Sequence, residues 1–599
     1  MNDSLRINGF HVYHGFLSGY DELKKQRQYL NDINVFPVAD GDTGNNMVQT
    51  MWGMLHLPYV SRSFSKTMSA LADQSLSSAR GNSGILVAEF INCLASQFSK
   101  QDSITERELT RALSIAAEGT GKALENPREG TILTVLKVWT RELDRLVSIG
   151  GTLRDNFALS LESARLCLDE TRHQLEELRR ANLVDAGASG FVSFLEGVAR
   201  LVVTGKVSWA RQAFSKETLE LSVGSTDLPS TDGNIPYRYC TELLLENPRG
   251  VAPDGSDDIR HKIEDLGDSL IVSHGRAKTK IHLHTNEPSS VLRALRGRGR
   301  ILEQKIDDMV LQYQAIHHPL SPVAVLTDSI ADIPQELLDK YHIHVIPLKI
   351  LWGDEEYLDR LSMTTDIFYP WLDERPDYPG SSIPDPRRVE QVFLWLSAQY
   401  TSIIAIPVGK VLSGTYQVLR TAADHLAAQG YTVSVIDSKL NSAAQGLVVL
   451  AAAEDASRGK SHAEILEATA HRIAKSRILV SVASFTYMVR GGRISALKGA
   501  IAAATHLKPI ITLDPDGRGI AYGASFSQAG SWKKIVREVR RCAKDISRYA
   551  VVHAGVPLLA QSYAQELEKI LGRECEYIME ISPIVGIHAG VGAVAVAWI

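Results

Sequence analysis

Residues 34–47 read Asn-Val-Phe-Pro-Val-Ala-Asp-Gly-Asp-Thr-Gly-Asn-Asn-Met, and this stretch decides how the N-terminal part of the chain is read. Asp40 and Asp42 flank Gly41, with Thr43 and Gly44 directly behind. Glycine lets the chain bend at no steric cost, so two carboxylates spaced in this way can face one hard cation. Mg²⁺ is typically held by one or two carboxylates together with waters and phosphate oxygens. The turn therefore reads as a metal–nucleotide anchor. An ordinary Asx turn gives the same letters, because Asp-Gly is common in loops.

Further glycine turns follow. Ala79-Arg80-Gly81-Asn82-Ser83-Gly84 precedes the apolar run Ile85–Ile91. A loop of this kind opening a helix offers backbone N–H groups and a hydroxyl to an anion. The alternative is Ser83 as a plain helix N-cap. Glu129–Thr134 and Val184–Gly190 add two more such turns between helical stretches. Neither a Walker loop nor a protein-kinase glycine loop is present.

In this order the segments resemble the nucleotide-binding domain of dihydroxyacetone kinases, and more closely the kinase component of bacterial fatty-acid kinase. The resemblance covers roughly residues 1–205 and implies an all-helical barrel that binds ATP and two Mg²⁺ ions at one end. It implies Asp40 and Asp42 as metal ligands, with Asn34 as a third. Thr43, Asn46 and the Gly81-Asn82-Ser83-Gly84 loop would contact phosphates, and Thr131, Asp185 and Gly187 would lie around the base and ribose. Asn45 stands where the pattern has Thr.

The composition is that of a multidomain globular chain. At 599 residues it exceeds a single core, and 44% apolar with 22% charged residues are ordinary values. A net charge of −5 argues against a nucleic-acid partner, which would need a basic face. Five scattered cysteines without a CxxC fit a reducing compartment. The start Met1-Asn2-Asp3-Ser4-Leu5 lacks a signal-peptide pattern, and the longest apolar runs, such as Gly446–Ala453, fall short of a membrane span. The expected location is cytoplasmic, with no transmembrane segment and at most transient contact with a membrane surface.

Helical periods run from 10 to 205, for example Phe157, Leu161, Ala164 and Leu168, with Leu175 further on. Residues 206–236 turn polar and read as a linker. Residues 237–311 alternate short strand-like runs with helices, and a His- and Pro-rich connector follows around Gln312–Ser321. From Val323 onward, apolar strands alternate with helices: Val323–Leu326, Val345–Leu348, Ile403–Ile406, Val433–Ile436, Ile478–Val482 and Ala550–Val552. This predicts a parallel or mixed α/β sheet. No short-period repeat or low-complexity tract is evident.

In the middle segment, Lys278–Asn286 alternates strictly. Ile281 and Leu283 share one face, while His282 and His284 share the other at a spacing that suits a chelating pair. Cys240, in Tyr239-Cys240-Thr241-Glu242, could supply a thiolate. The alternative is a solvated strand face carrying two incidental histidines. The segment resembles the middle domain of the same fatty-acid kinase component through Tyr-Cys-Thr-Glu, Leu-Gly-Asp-Ser-Leu and His-x-His-Thr-Asn. The resemblance implies a small α/β domain whose Cys240, His282 and His284 can bind zinc, for structural or regulatory duty, and which helps form a homodimer.

In the C-terminal half, Thr327-Asp328-Ser329 follows a strand directly, where open α/β sheets bind ligands. Leu412–Tyr416, Asp437-Ser438, Arg490–Ser495 and Val585–Gly590 are further hydroxyl, Arg and His turns. Several converging on strand ends suggest an anion pocket. Arg493 could pair bidentately with a carboxylate or phosphate, though a lone Arg usually ends in a surface ion pair, and a histidine such as His588 is more often structural.

These motifs, over 322–599, resemble the DegV family, whose members hold an acyl chain in a two-lobed α/β fold. The resemblance implies that Thr327, Ser329, Ser381, Ser382 and Ser413 bind the carboxyl head, with Arg493 and His588 stabilising an acyl phosphate. Departures are Ile330 for Thr, Gly409-Lys410 for Ser-Ser, and Ala589 and Val591 for Thr and Pro. Lys410 either meets the carboxylate as a point charge or sits on a solvated surface.

Together the resemblances imply an enzyme: a fatty-acid kinase-like phosphotransferase with kinase and acyl carrier on one chain. Its product would be an acyl phosphate, passed to an acyltransferase of phospholipid synthesis. The alternatives are a dihydroxyacetone-like kinase of a small hydroxylated substrate and a non-catalytic fatty-acid sensor.

Overall fold

The computed structural model describes residues 6–35, 41–124, 127–204, 235–247, 256–275, 277–484, 486–491 and 507–599. They fall into two compact units, Met1–Tyr313 and Gln314–Ile599. Asp40, Arg493 and nearly all of the linker expected at 206–236 lie outside the described residues.

In the first unit, ten helices follow one another between Gly9 and Thr204 among the described residues. Their starts are written in the sequence. Asn8 caps the helix Gly9–Lys25, and Thr105 forms a reciprocal capping box with Glu108 at the head of Glu106–Lys122. The period read from the sequence buries Phe157, Leu161 and Ala164 on one stripe of Leu153–Gln174. The helix Ala186–Thr204 is long and apolar enough to cross a bilayer by length and composition. It is mostly buried here, packed against Gly9–Lys25 and Leu153–Gln174.

The middle segment of this unit is a four-stranded antiparallel sheet in the order Asp268–His274, Lys278–Thr285, Tyr239–Glu246, Arg300–Asp308. The connector expected from Gln312 is helical as far as His317, because the helix Met309–His317 precedes the Pro-containing stretch. The His-Pro composition marks the end of the connector, not its start.

In the second unit, a parallel sheet runs in the order Thr432–Val435, Ser402–Ala405, Val323–Asp328, His344–Ile346. A six-stranded mixed sheet runs Gly519–Ser525, Lys508–Leu513, Arg477–Ser481, Val594–Trp598, Tyr549–His553, Ile578–Glu580. The expected strand Val345–Leu348 is broken. Pro347 has no N–H for a ladder, so one strand ends at Ile346 and Lys349–Trp352 joins a separate three-stranded sheet. The apolar run Gly446–Ala453 lies within the helix Ser442–Ser457, buried on almost all sides and packed on strands of both larger sheets. A helix apolar all round belongs in a core.

Candidate functional site

The helix Thr43–Leu55 begins directly behind Asp42, and Asp42 makes no capping hydrogen bond to it. The helix Gly81–Ser96 begins at Gly81, with Arg80 at its cap position, so Ser83 is its third residue and not its N-cap. The plain-cap reading of Ser83 is therefore set aside. Asn34, Asp42, Thr43, Asn46 and Gly81-Asn82-Ser83 line one polar cavity of about 50 Å³. Each turn carries a left-handed glycine, Gly41 at φ +64 and Gly81 at φ +60. A Cβ added to Gly81 would fall 2.4 Å from Asn46 Nδ2, so only glycine lets the two turns approach in this way. Asn82 Oδ1 is buried without a hydrogen-bond partner among the described residues, an acceptor aimed at this region. Two helix N-termini with a carboxylate between them suit a metal-bound phosphate.

Thr131, Asp185 and Gly187 do not line this cavity. The buried Asp185 Oδ1 accepts the N–H groups of Ile132 (3.1 Å) and Ala188 (2.7 Å), tying two helix starts together. Burial pushes this carboxyl up to about 6, against the pull of those two N–H groups. Thr131 donates to Arg128 O. A Cβ on Gly187 would fall 2.6 Å from Ser83 Oγ, so this glycine sets how closely the Gly81–Gly84 turn packs.

The other wall comes from the middle sheet. The central strand places Cys240 opposite His284 and Asp307, and Glu242 opposite His282 and Lys305. Period-two alternation thus collects a polar face, while Leu243 and Leu245 face the opposite side with Ile281 and Leu283. The solvated-face reading fails: His282 is 1% and His284 6% exposed. Cys240, His282 and His284 line the same cavity as Asp42, and their ligand atoms lie within 4.8 Å of one another. The donor set suits zinc. Burial, reinforced by His284, pushes His282 down to about 3, leaving the neutral imidazole a metal needs. His282 Nε2 is buried without a partner among the described residues. Burial, then Glu242, raises the Cys240 thiol well above its ordinary range, a cost that a bound cation would remove.

Lys305 and Asp307 join the site without a local motif to mark them, and Glu242 joins it from the Tyr239–Glu242 motif, which gives it no readable role. Glu242 Oε1 accepts the Gly81 N–H at 2.9 Å, and its carboxylate lies 3.0 Å from Lys280 Nζ and 3.8 Å from Lys305 Nζ. Burial opposes its charge, but Lys280, Lys305 and Arg80 hold Glu242 well below the usual carboxylate range. The alternation of the strands is enough to place these residues on the histidine face; nothing local says that the face is covered.

The second unit contains a larger cavity, about 490 Å³, with mostly apolar walls. Alternate residues of the mixed sheet face it, among them Ile478, Val480, Val552 and Ala595. The opposite face, including Leu479, Val551 and Val596, packs in a separate core with Trp532 and Leu567. Ser381, Ser382, Ser413, Ser442 and His588 are the polar exceptions most relevant to a head group. Thr327 and Ser329 are not on its wall. Thr327 Oγ1 donates to Ile406 O and accepts from Gln445 Nε2, while Ser329 Oγ accepts the Leu348 N–H. Both hydroxyls are buried and used to join elements. Lys410 is exposed, 3.5 Å from Asp437, which fits the solvated-surface alternative. Ser442 is an addition to the expected wall; it holds φ +50 and donates to the buried Asp332, a constraint no local pattern announces.

Comparison with known proteins follows this division. Residues 37–200 match the family model for the DAK2 domain, 236–316 that for the FakA-like middle domain of fatty acid kinase, and 322–599 that for the uncharacterised DegV family. An uncharacterised protein of Staphylococcus epidermidis is 25% identical over 320 residues, covering 52% of this chain and 57% of its own length. Protein YloV of Bacillus subtilis is 27% identical, with 50% and 55% covered. The chain thus spans little more than half the length of these relatives. A DegV domain-containing protein of Clostridium acetobutylicum is 26% identical over 46% of this chain and 98% of its own. Among solved structures, DegV, a fatty acid binding protein from Bacillus subtilis, is similar at 25% identity and a TM-score of 0.43, covering 46% of this chain and 99% of its own.

Proposed function

From a chain in which a DAK2 domain, a FakA-like middle domain and a DegV domain follow one another, we infer an ATP-dependent kinase that phosphorylates the carboxylate of a bound fatty acid. The observation that carries this reading is the pairing, on one chain, of a polar cavity built from helix N-termini with an apolar cavity of about 490 Å³. Volumes of that order hold small-molecule ligands in general.

The chemistry asks for alignment and charge neutralisation. A carboxylate is already ionised at neutral pH, so no general base is required. In this reading Asp42, with Asn34 and Asp40, would hold Mg²⁺, which supplies charge neutralisation to the phosphates. Thr43, Asn46 and the Gly81–Gly84 loop bind phosphate oxygens. Cys240, His282 and His284 would hold zinc at the wall of the same cavity. The apolar walls keep the acyl chain out of water, worth about 0.8 kcal/mol per CH₂. Ser381, Ser382, Ser413 and His588 would bind the head group, with Arg493 neutralising the product. A homodimer, a cytoplasmic location and an acyltransferase that consumes the acyl phosphate complete the proposal.

The test is mass spectrometry of lipid extracted from the purified chain, followed by addition of ATP and Mg²⁺. A fatty acid converted to its acyl phosphate upholds the reading. Bound lipid without conversion makes the chain a lipid sensor, and no lipid at all returns it to kinases of small hydroxylated substrates.

A further inference from the structure

Among the described residues that line the polar cavity, Lys305 is the one Lys or Arg. The other two cations of this wall are engaged elsewhere: Lys280 Nζ lies 3.0 Å from Glu242 and Arg80 bonds Glu303 at 2.8 Å, and neither lines the cavity. Lys305 is held from two sides, 2.7 Å from Asp307 and 3.8 Å from Glu242. A flexible lysine stem tethered in this way presents its ammonium at a fixed place, which removes much of the entropy cost of binding an anion.

The cavity, about 50 Å³, is small and lined mainly by polar groups, which suits a phosphate end better than a base or sugar. ATP, with its base and sugar outside, would enter with its γ-phosphate innermost. That group meets the cavity's cation.

We propose that Lys305 binds the γ-phosphate of ATP and that Glu242 is the positioning residue that aims it. Glu242 does two things at once. Its carboxylate fixes the Gly81 N–H at the head of the phosphate loop, and it draws the Lys305 ammonium toward the same cavity. The middle sheet thereby supplies a charge that the helical part lacks among its described residues lining the cavity. The proposal rests on the reading of this cavity as the nucleotide site.

Calorimetric titration of the full chain with Mg²⁺ and either ADP or the imido analogue of ATP tests it. Lys305→Met should weaken the imido analogue by about tenfold or more and ADP by no more than about twofold, as expected for one charge-assisted hydrogen bond. Lys305→Arg should restore most of the lost affinity. Glu242→Gln keeps an acceptor for Gly81 but drops the tethering charge, and should weaken the analogue selectively; should it not fold, the Lys305 pair still decides. Unchanged affinity for the analogue in Lys305→Met overturns the proposal. So does an equal loss for both nucleotides, which would make Lys305 a general support of the wall. A wild-type chain that binds neither nucleotide overturns it together with the nucleotide site. The expected binding pattern without acyl-phosphate formation upholds Lys305 and removes only the fatty-acid substrate.

Discussion

The cavity of the first unit is small, about 50 Å³, and walled by Asp42, Ser83, Lys305 and Asp307, whereas that of the second is about 490 Å³ and walled by residues such as Ile478, Val480 and Ala595. One is assembled from helix N-termini and the polar face of an antiparallel sheet. The other lies between one face of a mixed sheet and residues such as Ile330, Leu348 and Leu412. A polar site needs each group paired or aimed at a ligand, because an unpaired buried charge costs several kcal/mol. An apolar site needs only volume and exclusion of water. Substitutions should therefore act sharply and locally in the first cavity and in proportion to displaced methylenes in the second.

The largest effect is expected at the metal turn. Asp42→Ala should lower acyl-phosphate formation by about a thousandfold, in the range seen when a group stabilising transition-state charge is removed. Lipid extracted from the variant should match the wild type, since the apolar cavity belongs to the other unit. Asp40→Ala carries the same expectation. Turnover at the wild-type rate would remove Asp42 from the mechanism, and loss of lipid would break the separation of the two cavities.

A sharper contrast lies within the first unit. Glu89 and Glu242 are 7% and 1% exposed, and both face the border between the helix Gly81–Ser96 and the middle sheet. Glu242 is surrounded by cations; Glu89 has hydrogen bonds from Ser273 and Cys93 and no ion pair with a cation among the described residues. Burial pushes Glu89 up from 4.5 to about 7. A carboxyl raised in the folded state holds a proton that the unfolded chain has lost, so its contribution is fully present below pH 4.5 and falls as pH rises to about 7. The loss is on the order of 3 kcal/mol by pH 8. Glu89→Gln removes the titration and, like the protonated acid, keeps one acceptor oxygen and offers a donor in place of the other. Calorimetry should show a higher Tm than wild type at pH 8, by about 2–4 °C per kcal/mol, and little difference near pH 4.5. A gain of the same size at both pH values would show that Glu89 is not the titrating group.

What can be read in advance follows from how local each signal is. The turns at Asp42 and Gly81 are local, and the alternation at Lys278–Thr285 is local, so the residues that line the polar cavity from these turns and the histidine face are legible. That the histidine face is buried is not, because its cover comes from helices more than a hundred residues earlier in the chain. Glu242 stands in the Tyr239–Glu242 motif without a readable role for the same reason: a glutamate on a polar strand face reads as solvated until its cover is known. Thr327 and Ser329 stand out in the sequence because hydroxyls at strand ends often bind ligands. Their bonds instead go to Ile406, Gln445 and Leu348, partners that only the folded chain brings near. Pro347 is visible in the sequence, and its effect on the ladder follows from chemistry alone.

The apolar cavity is the least legible feature, since Ile478, Val480 and Val482 have the same letters as a packed core strand. Filling it gives the smallest of the three effects and tests the apolar side of the comparison. Val480 sits on the cavity wall, on the strand whose neighbour places Ala595 opposite it. Val480→Trp should displace two or three methylenes of a bound chain, costing about 2 kcal/mol at 0.8 kcal/mol each, or about thirtyfold in affinity. The loss should grow with acyl length in a competition series of saturated fatty acids, because shorter chains can still avoid the indole. ADP affinity should not move. A uniform loss across all lengths would place Val480 at the head group and not along the chain, and no loss would show that the acyl chain does not occupy this cavity.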